Sequence, residues 1–301
     1  MNRAAGLTFV EMLIAMLLVL VVIAGSLAFV ARGRAAQRSG ESLARLEEAL
    51  DAAFIVLVDE IRMAGYLGLA PPASAVDGAS AAGATEQRGL EVAGACGASL
   101  AHDLSTPVVA ADGAYEAAPG LPIGCRASPA GRRVASSDTL ILRRAGNDAS
   151  APEAGRLQLE TNLRAATLAA NGVGRLGPDA HWHDLEVGIY YISADSTGRN
   201  AWPSLRRKRL VGGTRPAFQD EELVSGIADL QIKIGLDEPA DADAAVDRWI
   251  APGEPRLDGI PRALRVEVEA LSDIAEPLQP GGVRRKRVSR VVELRNGGEL
   301  R

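Results

Sequence analysis

From Met12 to Ala31 the chain reads MLIAMLLVLVVIAGSLAFVA, twenty residues without a charge. A helix of that length, at about 1.5 Å per residue, just crosses a hydrocarbon layer of about 30 Å. A core helix of a globular domain keeps a polar face, which this stretch lacks. A secretory signal is the rival reading, because Ser26-Leu27-Ala28 offers a small-x-small cut that would start the mature chain at Phe29. The run is longer than the usual apolar core of about 7 to 15 residues, and Arg3 is the only charged side chain ahead of Glu11.

Glu11, at the head of this run, demands a reason. A carboxylate inside a span costs about 2.5–3.5 kcal/mol at the helix centre and less towards the interface. Residues i and i+4 share a helix face, so Glu11 can meet an amine at Leu7, in its own chain or in a neighbour. The plainer alternative is an interfacial glutamate with no role.

Beyond the span, Leu43, Leu46, Leu50, Phe54, Leu57 and Ile61 recur three or four apart, and Glu47, Glu48, Asp51, Asp59 and Glu60 take the other side. This spacing predicts one amphipathic helix continuing the span to about Ala64, ended by Gly65, Gly68 and Pro71-Pro72. A small-residue stretch, roughly Pro72 to Ala84, reads as loop. Seven alternating or β-branched segments then predict strands at 138–144, 155–161, 186–194, 205–211, 222–236, 262–271 and 286–295. Long helix followed by antiparallel sheet is an α+β arrangement.

The net charge of −5 argues against nucleic acid as a main partner. The basic clusters at Arg206–Arg209 and Arg284–Arg287 are expected to be solvated strand ends. Cys96 and Cys125 are the only cysteines. They either close a disulfide around a loop of about 30 residues, worth roughly 3.5 kcal/mol by chain entropy, or remain two buried thiols. Flanking charge alone sets Arg3 and the amino terminus against Arg32, Arg34 and Arg38, which by the positive-inside rule puts the large domain in the cytoplasm. The cysteine pair points instead to export.

Candidate metal chemistry is thin. His181 and His183 stand two apart, a spacing that on a strand turns both to one face, but no third ligand is evident. The acidic loop DEPADADAAVD, with Asp241, Asp243 and Asp247, has the oxygen ligands calcium needs but lacks an EF-hand's glycine and closing glutamate. No nucleophile elbow, phosphate-binding glycine loop or paired nucleophile and base occurs, so neither catalysis nor a cofactor is expected.

The amino terminus, a short leader with Arg3, then Gly6, Leu7-Thr8-Phe9-Val10-Glu11 and the unbroken apolar helix, resembles type IV prepilins and type II secretion pseudopilins. Towards the carboxy terminus, LVSGIADLQIKIGLDE, GIPRALRVEVEALS and KRVSRVVELRN are similar in order to the PilW group of minor pilins and, less closely, to J-type minor pseudopilins. The resemblance implies a type IV pilin-like fold, with the long helix packed on an antiparallel sheet domain. It divides the chain into a leader at 1–6, a helix at 7–66 whose first part, about 7–31, is transmembrane, and a β-rich periplasmic domain at 67–301.

It also implies cleavage by prepilin peptidase between Gly6 and Leu7, methylation of Leu7, and a place for Glu11 beside the amino terminus of a neighbouring subunit. A Cys96–Cys125 disulfide is expected in that group. The implied life of the chain begins in the inner membrane as a single-pass, non-catalytic subunit. It is then incorporated into a type IV pilus serving adhesion or twitching motility. Its partners would be membrane lipid, the assembly platform, the major pilin and other minor pilins. The alternatives are a J-type pseudopilin of a secretion system and, from another class, a membrane-anchored periplasmic metal-binding or enzymatic domain. Because the tip-most subunits of such filaments usually lack the glutamate, its presence implies that another subunit can sit above this one.

Overall fold

The computed structural model describes residues 8–70, 72–81, 84–85, 87–93, 99–113, 116–118, 121–122, 132–238, 245–254, 259–275 and 282–296. Among the described residues its one long helix, α1, runs over Phe9–Met63, against an expected 7–66, of which Leu7 lies outside the described residues. Gly65 stops it, with φ at +80°, a left-handed conformation that glycine adopts without the steric cost of a Cβ. The Gly65 N–H leaves the helix direction and donates to the Arg143 carbonyl at 3.0 Å.

Fourteen strands follow among the described residues: β1 (Val76–Asp77), β2 (Val108–Ala111), β3 (Glu116–Ala118), β4 (Leu121–Pro122), β5 (Thr139–Ala145), β6 (Ala154–Thr161), β7 (Ala166–Asn171), β8 (His181–Ser193), β9 (Ser204–Val211), β10 (Ala217–Ser225), β11 (Ile227–Asp237), β12 (Arg248–Ile250), β13 (Ile260–Ala275) and β14 (Val283–Glu293). An eight-stranded sheet has the order β1-β7-β6-β8-β5-β2, with β9 added to β8 and β10 to β9. A four-stranded sheet has the order β12-β11-β13-β14, and β3 and β4 form a separate hairpin. Neighbours pair antiparallel where sequence-adjacent strands meet, as in β6–β7 and β8–β9, while β1 joins β7 in parallel.

The chain divides into two compact units, Met1–Leu46 with Ser272–Arg284, and Glu47–Leu271 with Arg285–Arg301. In the first, Ser42 Oγ donates to Ser272 Oγ at 2.8 Å, both side chains fully buried, and Arg45 pairs with Asp273 at 2.6 Å. In the second, the helix stripe Leu50, Ala53, Phe54, Leu57 and Ile61 is buried, as its spacing required. The strand residues around it come from both sheets. Arg290 of β14 lies 4.4 Å over the Phe54 ring and pairs with Asp51 at 2.8 Å. Glu60, near the helix end, accepts from Arg144 of β5 at 2.9 Å.

The expected strand at 222–236 is two strands, broken at Gly226, where φ is +83°. The break is a change of sheet. β10 finishes the larger sheet against β9, and β11 opens the smaller one between β12 and β13. An unbroken extended run could not serve both. The added strand β7, ATLAAN, is poor in β-branched residues and holds its conformation through pairing with β6 rather than through propensity. β1, inside the expected loop, is likewise held by β7.

A second tie between the sheets comes from Ser137 and Asp138, just ahead of β5. β12 covers only Ile234–Leu236 of one edge of β11. Further along β11, Asp138 N–H donates to the Leu230 carbonyl at 2.8 Å, Leu230 N–H to Ser137 Oγ at 2.8 Å, and Ile232 N–H to Asp138 Oδ2 at 2.7 Å. Buried backbone groups left by a short strand thus find side-chain partners. Asp138 is only 3% exposed. Burial pushes its carboxyl up to about 6, the carboxylates of Asp112 and Asp229 adding to the rise and the Ile232 N–H opposing it.

Candidate functional site

The described chain begins at the element that the sequence marks as functional. Thr8 and Glu11 close the first turn of α1 reciprocally. The Thr8 N–H and hydroxyl both donate to Glu11 Oε2, at 2.8 and 2.9 Å, and the Glu11 N–H points back to Thr8 Oγ1 at 3.4 Å. This is a capping box, T-x-x-E, which satisfies amide donors that the first turn would otherwise leave unpaired. Sequence reading supplied charge pairing for Glu11 and overlooked this local task, although Thr8 three residues before a glutamate was visible.

From Phe9 to Val30 the apolar side chains of α1 point outward without a partner, Phe9 being 77% and Leu20 69% exposed. The helix contains a segment apolar enough to cross a membrane, with mean hydropathy 3.0 and no part buried by the protein. Water would penalise such a surface by about 25 cal/mol per Å², so a lipid or a packed neighbour must cover it. Ser26, its polar interruption, turns its hydroxyl to the Val22 carbonyl at 2.8 Å, which keeps the group satisfied in an apolar medium. Arg32, Arg34 and Arg38 follow, exposed and without an ion-pair partner among the described residues.

The remaining sequence candidates do not assemble into a chemical centre. His181 is exposed while His183 is buried, its Nδ1 2.9 Å from the Gly146 carbonyl. Both lie at the start of β8, His181 opposite Thr161 and His183 opposite Leu159 of β6. Asp247 is exposed and accepts the Glu238 N–H at 2.7 Å, whereas Asp241 and Asp243 lie outside the described residues. Among the described residues no group of three or more His, Cys, Asp or Glu side chains is placed to hold a metal. Gly6, Leu7, Cys96 and Cys125 also lie outside the described residues.

One expectation is corrected. Arg206, Arg207 and Lys208 are not a solvated strand end, although Arg209 beside them is exposed. β9 and β10 pair Arg206 with Glu222, Arg207 with Glu221 and Lys208 with Asp220 in register. Arg206, 6% exposed, bonds Asp220 at 2.7 Å and Glu222 at 3.1 Å. Arg207 reaches Glu221 at 2.6 Å and Glu60 of α1 at 3.6 Å. Cross-strand opposition of unlike charges removes the cost of burying them singly. The signal was present as a basic block followed by the acidic block DEE of β10, but it becomes legible only once the two are read as a hairpin. The Arg284–Arg287 cluster does carry exposed members, Arg285 and Arg287, each paired with Glu269 of β13.

No curated protein and no solved structure matches the chain. The model of the PilW family, described as type IV pilus-assembly protein W, matches residues 189–258. That segment runs from the second half of β8 through β9, β10 and β11 to just past β12. It therefore contains the charge-paired hairpin and the change of sheet at Gly226. Over this segment the chain is similar to the PilW family of type IV pilus-assembly proteins, and a long apolar helix leads into its sheet-rich domain.

Proposed function

We propose that the chain is a minor pilin, stored in the inner membrane by α1 with its sheet domain in the periplasm and drawn from there into a type IV pilus. The observation that carries this reading is the PilW match over residues 189–258 in a chain whose first helix exposes an unbroken apolar surface. Such a surface suits two successive environments, a bilayer and a bundle of like helices. In the same reading prepilin peptidase cuts between Gly6 and Leu7, Leu7 becomes the methylated amino terminus, and Cys96 and Cys125 join after export. The subunit has no catalytic part to play; its partners are the assembly platform, the major pilin and other minor pilins.

Intact mass of the chain extracted from membranes tests the processing. A product beginning at Leu7, lighter by two hydrogens than its reduced form, is expected. A product beginning at Phe29 would mean a conventional signal peptide and end the pilin reading.

Glu11 supplies the sharper test, because two roles for it are now in view. Glu11→Gln keeps the capping-box geometry, in which glutamine serves as well as glutamate, and deletes the charge. If pairing with a neighbour's amino terminus matters, Glu11→Gln and Glu11→Ala both leave the chain processed and membrane-held while pili fall. If Glu11 serves only as a cap, Glu11→Gln assembles as the parent does. Pili are counted in a strain without the parent copy, with the variant quantified in sheared filaments.

A further inference from the structure

Three guanidinium groups follow the apolar helix within two turns: Arg32, Arg34 and Arg38, with the last uncharged residue of the span, Ala31, directly before them. All three are exposed, and no carboxylate pairs with any of them among the described residues. The nearest acidic side chain along the helix, Glu41, is engaged by Gln37 at 3.1 Å. Three unpaired cations on one short segment repel one another, so an anionic partner is missing.

The helix geometry indicates what kind of partner it is. At about 100° per residue, Arg34 and Arg38 share a face, while Arg32 lies about 160° away from Arg34. A protein docked on one side of the helix could meet two of the three. Only a surrounding anionic medium meets all of them. Along the axis the three span about 9 Å, close to the 5–8 Å that the headgroup layer of one leaflet occupies beyond the hydrocarbon. Phe29 and Val30, 79% and 48% exposed, stand just inside them and end the apolar surface.

We infer that Arg32, Arg34 and Arg38 form a collar that binds the phosphates of anionic phospholipids, a headgroup site at the end of the span. Arginine suits the role, since its fork donates to two phosphate oxygens at once and its stem can follow the apolar surface to the interface. The inference rests on the proposed membrane storage of α1 and adds a lipid preference to it. Its consequence for assembly is a hold on the subunit that extraction into a filament must break.

The test uses the full-length chain reconstituted in vesicles of phosphatidylcholine with about one quarter phosphatidylglycerol. Lipids retained on the protein are counted by native mass spectrometry after release, for the parent chain, for Arg32→Gln/Arg34→Gln/Arg38→Gln, and for the triple lysine variant. An electrostatic contribution of about fivefold per arginine makes the parent prefer phosphatidylglycerol by up to about a hundredfold over the glutamine variant at low salt. The preference shrinks as salt shortens the Debye length below about 5 Å, and the lysine variant restores most of it. Equal phosphatidylglycerol retention by parent and glutamine variant overturns the inference, and so does a parent with no preference. Loss of pili by the glutamine variant without any change in retained lipid also overturns it, in favour of a filament contact. Resistance to carbonate extraction is measured on the same vesicles. A chain that washes off refutes membrane storage itself, whereas a chain that stays embedded without lipid preference refutes only the collar.

Discussion

Replacing Asp138 with asparagine should stabilise the protein at neutral pH, although it removes a charge from a hydrogen-bonded position. The Asp138 carboxyl, 3% exposed, rises from an ordinary 3.8 to about 6 because desolvation and the facing Asp112 and Asp229 outweigh the Ile232 N–H that it accepts. Since the folded state holds its proton more tightly than the unfolded chain, this group's contribution to stability is complete below about pH 4 and is lost as pH rises through about 6. A shift of about two pK units corresponds to about 3 kcal/mol between those limits.

Asparagine keeps an acceptor for the Ile232 N–H and turns an amide towards Asp112 and Asp229. Asp138→Asn should therefore match the parent near pH 4 and exceed it by about 2–3 kcal/mol at pH 8, or roughly 5 °C in Tm for a chain of this size. Tryptophan fluorescence of the full-length protein in neutral detergent, melted at steps from pH 4 to pH 8, gives the difference between the two chains. A variant less stable than the parent at pH 8, or a difference that does not change with pH, would refute the reasoning that desolvation dominates this site.

Two further outcomes follow from the hairpin of β9 and β10 and from the turn after it. Arg206→Ala leaves Asp220 and Glu222 facing each other without their shared cation. It should cost about 3–5 kcal/mol in chemical denaturation, and a loss below about 1 kcal/mol would show the network to be solvent-screened. Gly226→Ala places a Cβ at φ +83° and 3.2 Å from the Leu271 carbonyl oxygen. It should lower stability by about 1–3 kcal/mol, and an unchanged melting curve would mean that the change of sheet does not depend on a left-handed residue.

The parts of this protein that sequence alone determined are those written in neighbouring residues. An apolar run without charge, the three-and-four spacing from Leu43 to Ile61, and Gly65 after it state a helix apolar enough to cross a membrane, an amphipathic stripe and a stop, because helix contacts are local in the chain. Alternation at 138–144 or 262–271 likewise states a strand, since one face must be buried. What only the tertiary structure decided lies in register and in which sheet each strand joins. Arg206 and Glu222 lie sixteen residues apart, and nothing nearby says they will share a buried face until β9 and β10 align. Gly226 reads as an ordinary glycine within an alternating run, and becomes a boundary because the strands either side serve different sheets. The raised carboxyl of Asp138 has no trace in its neighbours along the chain. It arises where an edge of β11, left open by the shortness of β12, needed an acceptor for the N–H of Ile232.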